Sequence, residues 1–152
     1  MTPITYREAV LSDIPQIASI CFGYFPHLDV GMPESKLDKD AVVEHLCNRI
    51  NHTNPPMILA ELGDKIIGLY GLELERYWWS DTSHVTDYIW YVVSEHRNLN
   101  IGSELRKEAE LWCDNHGFHF RPTVLNIDRL DAKDRAFRMG GYTRVGSVYA
   151  KL

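Results

Sequence analysis

Val92-Val93-Ser94-Glu95-His96-Arg97-Asn98-Leu99-Asn100-Ile101-Gly102-Ser103-Glu104-Leu105-Arg106 is the stretch that decides how this chain folds. A β-rich run ends at its left edge, a short polar turn follows, and an amphipathic helix opens straight after a glycine. The first turn of a helix leaves backbone N–H groups without intrahelical partners, and the helix dipole adds partial positive charge there. An anion can settle on such a cradle. Taken alone, the same fragment also reads as an ordinary strand-to-helix turn with no ligand.

Working outward, the residues after Gly102 place Leu105, Ala109, Trp112 and His116 on one helical stripe, and Gly117 suits the helix end. Upstream lie three apolar runs, residues 57–62, 65 to about 79, and 83–93. The pair Gly63-Asp64 between the first two is a hairpin signal, and Ser80-Asp81-Thr82 is a polar turn. Further back, Ile4-Thr5-Tyr6-Arg7-Glu8-Ala9 alternates as a strand, and Ser12 is expected to cap a helix carrying Ile14, Ile17, Ala18 and Cys21. Residues 22–38 hold Gly23, Pro26, Gly31 and Pro33 and are expected to form a loop. A second helix with Val43, Leu46, Cys47 and Ile50 on one face stops before Asn54-Pro55-Pro56. Downstream, residues 123–127 read as a buried strand, 132–139 as a short helix and 142–152 as a last strand or hairpin. A meander followed by a strand–helix–strand unit is mixed α/β (α+β) architecture, in one domain over residues 1–152.

Composition narrows the function. A net charge of −5 argues against nucleic acid, which would need a basic stripe, yet a local nest of N–H groups can still hold an anion. Three cysteines, Cys21, Cys47 and Cys113, have no paired spacing and read as thiols of a reducing compartment. No apolar run is long enough to span a bilayer, so the expected location is cytoplasmic, with no membrane partner.

Arg97-x-x-Asn100-x-Gly102 resembles the acyl-CoA pyrophosphate loop of the GNAT N-acetyltransferase superfamily, written Gln/Arg-x-x-Gly-x-Gly/Ala, with Asn in place of the first glycine. Ser12-Asp13-Ile14-Pro15, Gly63-Asp64-Lys65-Ile66-Ile67-Gly68 and Gly141-Tyr142 sit where that family has its first helix start, a hairpin and the opening of its last strand. The resemblance implies a central, mostly antiparallel sheet with a splayed parallel pair, flanked by about four helices. It implies acetyl-CoA as co-substrate, its pantetheine arm on unpaired backbone near Val92 and Val93. The pyrophosphate would lie among N–H groups of Arg97, Asn98, Leu99, Asn100, Ile101, Gly102 and Ser103, with Phe137 also at the cofactor. Asn is the best non-glycine occupant of left-handed backbone, so position 100 keeps the loop's shape at a cost of about 1 kcal/mol.

The chemistry implied is attack of an amine on the thioester, with backbone donors stabilising the oxyanion. Many relatives carry a late-helix tyrosine to protonate the leaving thiolate, and here Phe137 occupies that place. Tyr142, Tyr149 or a bound water are the other candidates. For the base, Asp87 comes first, one residue from the family's counterpart at Thr86; a bulge could bring it to the site, or it could face solvent. Glu73 is a weaker candidate, sharing with Glu75 what reads as a solvated strand face, and Asn126 could orient a water. Trp78, Trp79, Tyr88, Trp90 and Tyr91 are expected mainly in the core or packed on the sheet, with an acceptor pocket as the alternative for some, and His84 is expected exposed, with a proton relay as its alternative. Cys113, His116 and His119 lack metal-ligand spacing. Acidic Asp29, Glu34 and Asp38 suit a basic acceptor.

The expected acceptor is thus an amine of a small molecule or a protein, with a homodimer as one assembly the chain could adopt. A catalytically degenerate GNAT domain acting as a CoA-binding or structural module is the alternative that the missing tyrosine leaves open, and a longer acyl or aminoacyl donor is a third.

Overall fold

Residues 57–76 place apolar side chains on both faces of one hairpin, which requires helices on both sides of a sheet. The computed structural model, which describes residues 1–27, 33–52, 54–123 and 130–146, has that arrangement. Strands β1 (Ile4–Glu8), β2 (Met57–Leu62), β3 (Lys65–Arg76) and β4 (Ser83–Val92) form an antiparallel sheet in sequence order. Helices α1 (Ile14–Tyr24) and α2 (Lys39–Asn51) cover one face, and α3 (Ile101–His116) covers the other, with α4 (Leu130–Met139) beyond it. Ile17, Cys21, Leu46, Leu59 and Leu69 belong to the first core layer; Ile67, Tyr70, Val85, Ile101 and Leu105 belong to the second. The continuous apolar run of β3 follows from this double covering: residues from Ile66 to Leu72 are buried without alternation.

Burial keeps two of the three cysteines as inert thiols, the sulfhydryls of Cys21 and Cys113 each being pushed up to about 12.

Several local expectations are revised. The cap of α1 is Asp13, not Ser12, because a 3-10 turn (Leu11–Asp13) precedes the helix. The Asp13 carboxylate accepts the Val10 N–H at 2.8 Å and both terminal nitrogens of Arg7 at 2.8 and 2.9 Å, which commits it to that turn. Helix α1 runs on through Phe22 and Gly23, so the early loop is shorter than expected. Asp38 caps α2, its side chain accepting the Ala41 N–H at 3.0 Å. Strand β3 stops at Arg76, and Trp78 and Trp79 stand 90% and 65% exposed in the turn beyond it instead of packing in the core. The opposite holds for His84, which is buried with Nε2 on Glu75 at 3.0 Å. Residues 142–146 form no regular element, while Asp29, residues 124–127, Asn126 and Tyr149 lie outside the described residues.

A bulge between Gly71 and Leu72 on the β3–β4 ladder leaves Tyr88 without an opposing residue. Gly71 makes room for it: a Cβ there would stand 2.4 Å from the Tyr88 ring. Because a bulge reverses facing, Asp87 turns toward the α3 side and is buried rather than exposed.

Candidate acyl-CoA cleft

Strand β4 reaches its end at Val92, and the chain makes a 3-10 turn (Ser94–His96) before α3. Asn100 caps α3 with φ 59° and ψ 15°, the left-handed conformation the sequence anticipated for it. That conformation turns the loop so that its last residues present their amides together. Among the described residues, the N–H groups of Asn98, Asn100, Ile101, Gly102 and Ser103 donate to no carbonyl or side chain, and the first α-helical bond is Glu104 N–H to Asn100 C=O. Those of Arg97 and Leu99 are committed to the turn, donating to Ser94 at 3.4 Å and His96 at 3.2 Å. The cradle is therefore five amides of the seven residues in the loop.

Beside it opens a cleft of about 200 Å³, lined by Trp90, Tyr91, Val92 and Arg97 on one side. Asn100, Gly102 and Ser103 form its end, and Ala132, Lys133 and Ala136 of α4 its far wall. Gly102 keeps the floor open: a Cβ there would meet only the edge of the Trp90 indole, at 3.5 Å. Trp90 stacks on Tyr70 at 5.4 Å and rests against Phe137 at 5.3 Å. Phe137 is thus buried beneath the cleft wall rather than on its surface.

The backbone of β4 supplies the other half of the site. Val93 N–H bonds Ile67 C=O at 2.9 Å, so that group faces β3 and is not open. By strand alternation, Trp90 and Val92 direct their N–H and C=O groups to the outer edge. The Val92 carbonyl accepts from Arg97 Nε at 3.0 Å, which anchors the loop to the strand. Among the described residues, the outer edge is paired at its beginning, where Val85 bridges Phe120 in parallel. The second strand of the splayed pair expected from the sequence lies outside the described residues.

Asp87 lies just past that bridge. Its Oδ1 accepts the Thr123 N–H at 2.7 Å and the Thr123 hydroxyl at 2.8 Å. Burial pushes its pKa up, against the pull of those two bonds. The Tyr70 hydroxyl, buried and without a well-formed hydrogen bond among the described residues, is raised by burial and then by the neighbouring Asp87 charge. Tyr142 donates its hydroxyl to Glu110 at 2.7 Å, and the Arg106 guanidinium lies over its ring. Burial, followed by the Glu110 bond, raises its pKa. Glu73 is on the opposite face, directly across from Thr86, paired with Arg49, whose guanidinium covers the Tyr88 ring. The structure therefore gathers Trp90, Val92, Arg97, Asn100, Gly102 and Ser103 around one cleft, with Asp87 and Tyr142 behind its wall and Glu73 through the sheet.

Trp90 as a wall of this cleft and the lining residues Ala132, Lys133 and Ala136 of α4 were missed in the sequence, which offered Phe137 from that helix. The available signal was parity: Trp90 and Val92 are two residues apart and must share a strand face.

An antiparallel meander with helices on both faces and an amide cradle at the next helix start define a mixed α/β protein with a site suited to an anion. The chain matches the acetyltransferase (GNAT) family over residues 15–140 and belongs to that family. A search of curated proteins gave no match. Among solved structures, the chain is similar to a GCN5-related N-acetyltransferase from Ralstonia eutropha JMP134 (TM-score 0.77, 14% identity, 99% of each chain covered). It is similar to a predicted acetyltransferase with acetyl-CoA from Clostridium acetobutylicum (TM-score 0.77, 14% identity, 99% and 96% covered). A third is an aminoglycoside acetyltransferase from an uncultured soil metagenomic sample in complex with sisomicin (TM-score 0.67, 20% identity, 98% and 96% covered). No described helix is long and apolar enough to cross a membrane.

Proposed function

We propose that this protein is an acetyl-CoA-dependent N-acetyltransferase acting on a primary amine of a small molecule or a protein. The observation that carries the reading is the set of five amides at the start of α3 that have no partner among the described residues, beside a cleft lined by Trp90 and Val92 of β4. The amides and the helix dipole hold the pyrophosphate, and the pantetheine arm adds to β4 as a strand would. The Trp90 N–H is our candidate donor for the oxyanion formed when the amine attacks the thioester carbonyl. Collapse of that intermediate breaks the C–S bond, leaving an amide and CoA thiolate; the ammonium proton goes to a base and the thiolate takes one from solvent.

The acceptor reaches the thioester from the α1–α2 face, since the cofactor fills the other. Glu73 lies on that face across from Thr86, ion-paired with Arg49, and is a carboxylate the acceptor amine would meet there. One observation supports a second reading, a CoA-binding module without turnover. Phe137 carries no hydroxyl, and that of Tyr142 is already donated to Glu110. Thiol release from acetyl-CoA with polyamines, aminoglycosides, amino acids and lysine peptides decides between them. Release above the hydrolysis background with at least one amine is expected; acetyl-CoA binding with no release across the panel supports the module.

A further inference from the structure

The end of α4 turns back on itself and reaches α3. Its last turn closes with Gly141 N–H on Arg138 C=O at 3.1 Å and Tyr142 N–H on Phe137 C=O at 3.0 Å. With Gly141 left-handed at φ 87°, this is the Schellman pattern, which folds the chain over the helix it leaves. The turn sets the Tyr142 ring edge-on against Phe137, centroids 5.3 Å apart, and Phe137 meets the Trp90 indole of the cleft. The Tyr142 hydroxyl then crosses to α3, donating to Glu110 Oε1 at 2.7 Å. The same oxygen accepts from Arg106, one turn earlier on α3, whose guanidinium lies 5.8 Å over the Tyr142 ring. Gly140 completes the seat: a Cβ there would stand 2.5 Å from that guanidinium and push it away. Arg106 is buried, and its charge is balanced by Glu110 and by the carbonyl end of the α4 dipole.

We infer that Tyr142 is a positioning residue: with Arg106 and Glu110 it clasps the end of α4 to α3 and so fixes the far wall of the cleft. This role rests on the acetyl-CoA reading above. It differs from general acid catalysis in where the hydroxyl goes, to a carboxylate of α3 and not to the departing thiolate. Burial and the Glu110 bond raise the Tyr142 pKa, which keeps the phenol a donor to its partner. Ala132, Lys133 and Ala136 line the cleft from the same helix, so a wall already held in place removes an ordering cost from cofactor binding.

Tyr142→Phe keeps the ring and removes the hydroxyl that bonds α3. Its dissociation constant for acetyl-CoA, measured by calorimetry, should rise at least fivefold, with kcat at saturating cofactor within threefold of wild type and the pH–rate profile unmoved. Glu110→Ala should weaken acetyl-CoA at least as much. The double variant Tyr142→Phe/Glu110→Ala should lose no more than Glu110→Ala alone, because the two side chains share one contact. A hundredfold loss of kcat in the phenylalanine variant at unchanged affinity would overturn the inference in favour of a general acid. Normal affinity in either single variant, or losses that add in the double, would overturn it as well. If Glu110→Ala does not fold, Tyr142→Phe decides alone. Amide exchange at Gly140, Gly141 and Tyr142 reads the clasp with no ligand present. Faster exchange in Tyr142→Phe than in wild type is expected, and equal exchange refutes it. Wild type that fails to bind acetyl-CoA would instead refute the functional reading, leaving the exchange result to judge the clasp.

Discussion

Asn100 sits at φ 59° where the family pattern has glycine, and its backbone aims the amides of the cradle. Asparagine tolerates this region because its short polar side chain has no branch at Cβ, whereas a β-branched residue is strained there. Asn100→Gly should therefore leave acetyl-CoA affinity within about twofold of wild type. Asn100→Val should lose about 1–2 kcal/mol in stability and weaken the cofactor. Thermal unfolding and calorimetry check both, and a valine variant that binds normally would show that the loop does not need this conformation. At this scale the sequence was informative wherever local chemistry decides, as at Asn100 and Gly102. It was uninformative for Val93, Asp87 and His84. Their orientation depends on the register of β4 against β3 and on the bulge at Tyr88, neither of which leaves a local residue signature.

Among the elements, the entrance to α1 is tied to the sheet by Arg7, which bonds Asp13 and also Glu61 on β2. The Arg7 hydrogen bonds are the main cause that holds the Asp13 pKa below its ordinary value. A carboxylate with a lowered folded pKa adds stability that is fully present above its unfolded pKa of about 3.9 and is lost as pH falls through the folded value. Asp13→Asn should cost about 1–2 kcal/mol near neutral pH, modest because the Arg7 side chain is 35% exposed. Urea unfolding should show the gap between variant and wild type closing as pH drops below 4. A gap that stays constant to pH 2 would remove the ion pair from the account. Helices and the meander were legible as elements because their apolar periods are long; the boundary at Asp13 was not, since Ser12 is an equally good cap by residue type.

For the whole molecule, element order carried the fold. A strand, two helices, a three-strand meander and a helix opening on a cradle leave few ways to cover both faces of one sheet. A chain of net charge −5 can nevertheless hold a polyanion, because the cradle uses backbone dipoles and needs no basic surface. Of α4 only Phe137 was legible, since Lys133 and Ala136 acquire meaning only when the helix docks opposite β4. The acceptor side was obscure for the same reason: Glu73, Arg49 and Tyr88 meet across β3, α2 and β4. The central claim is that the amides opening α3 hold the acyl-CoA pyrophosphate. Calorimetry of acetyl-CoA against wild type and Gly102→Asp tests it most directly, because a side chain fits there beside Trp90 while its carboxylate faces the phosphates. Saturable binding by wild type and at least a thirtyfold loss in the folded variant are predicted; equal affinity in the two proteins, or no binding by wild type at millimolar cofactor, would contradict it.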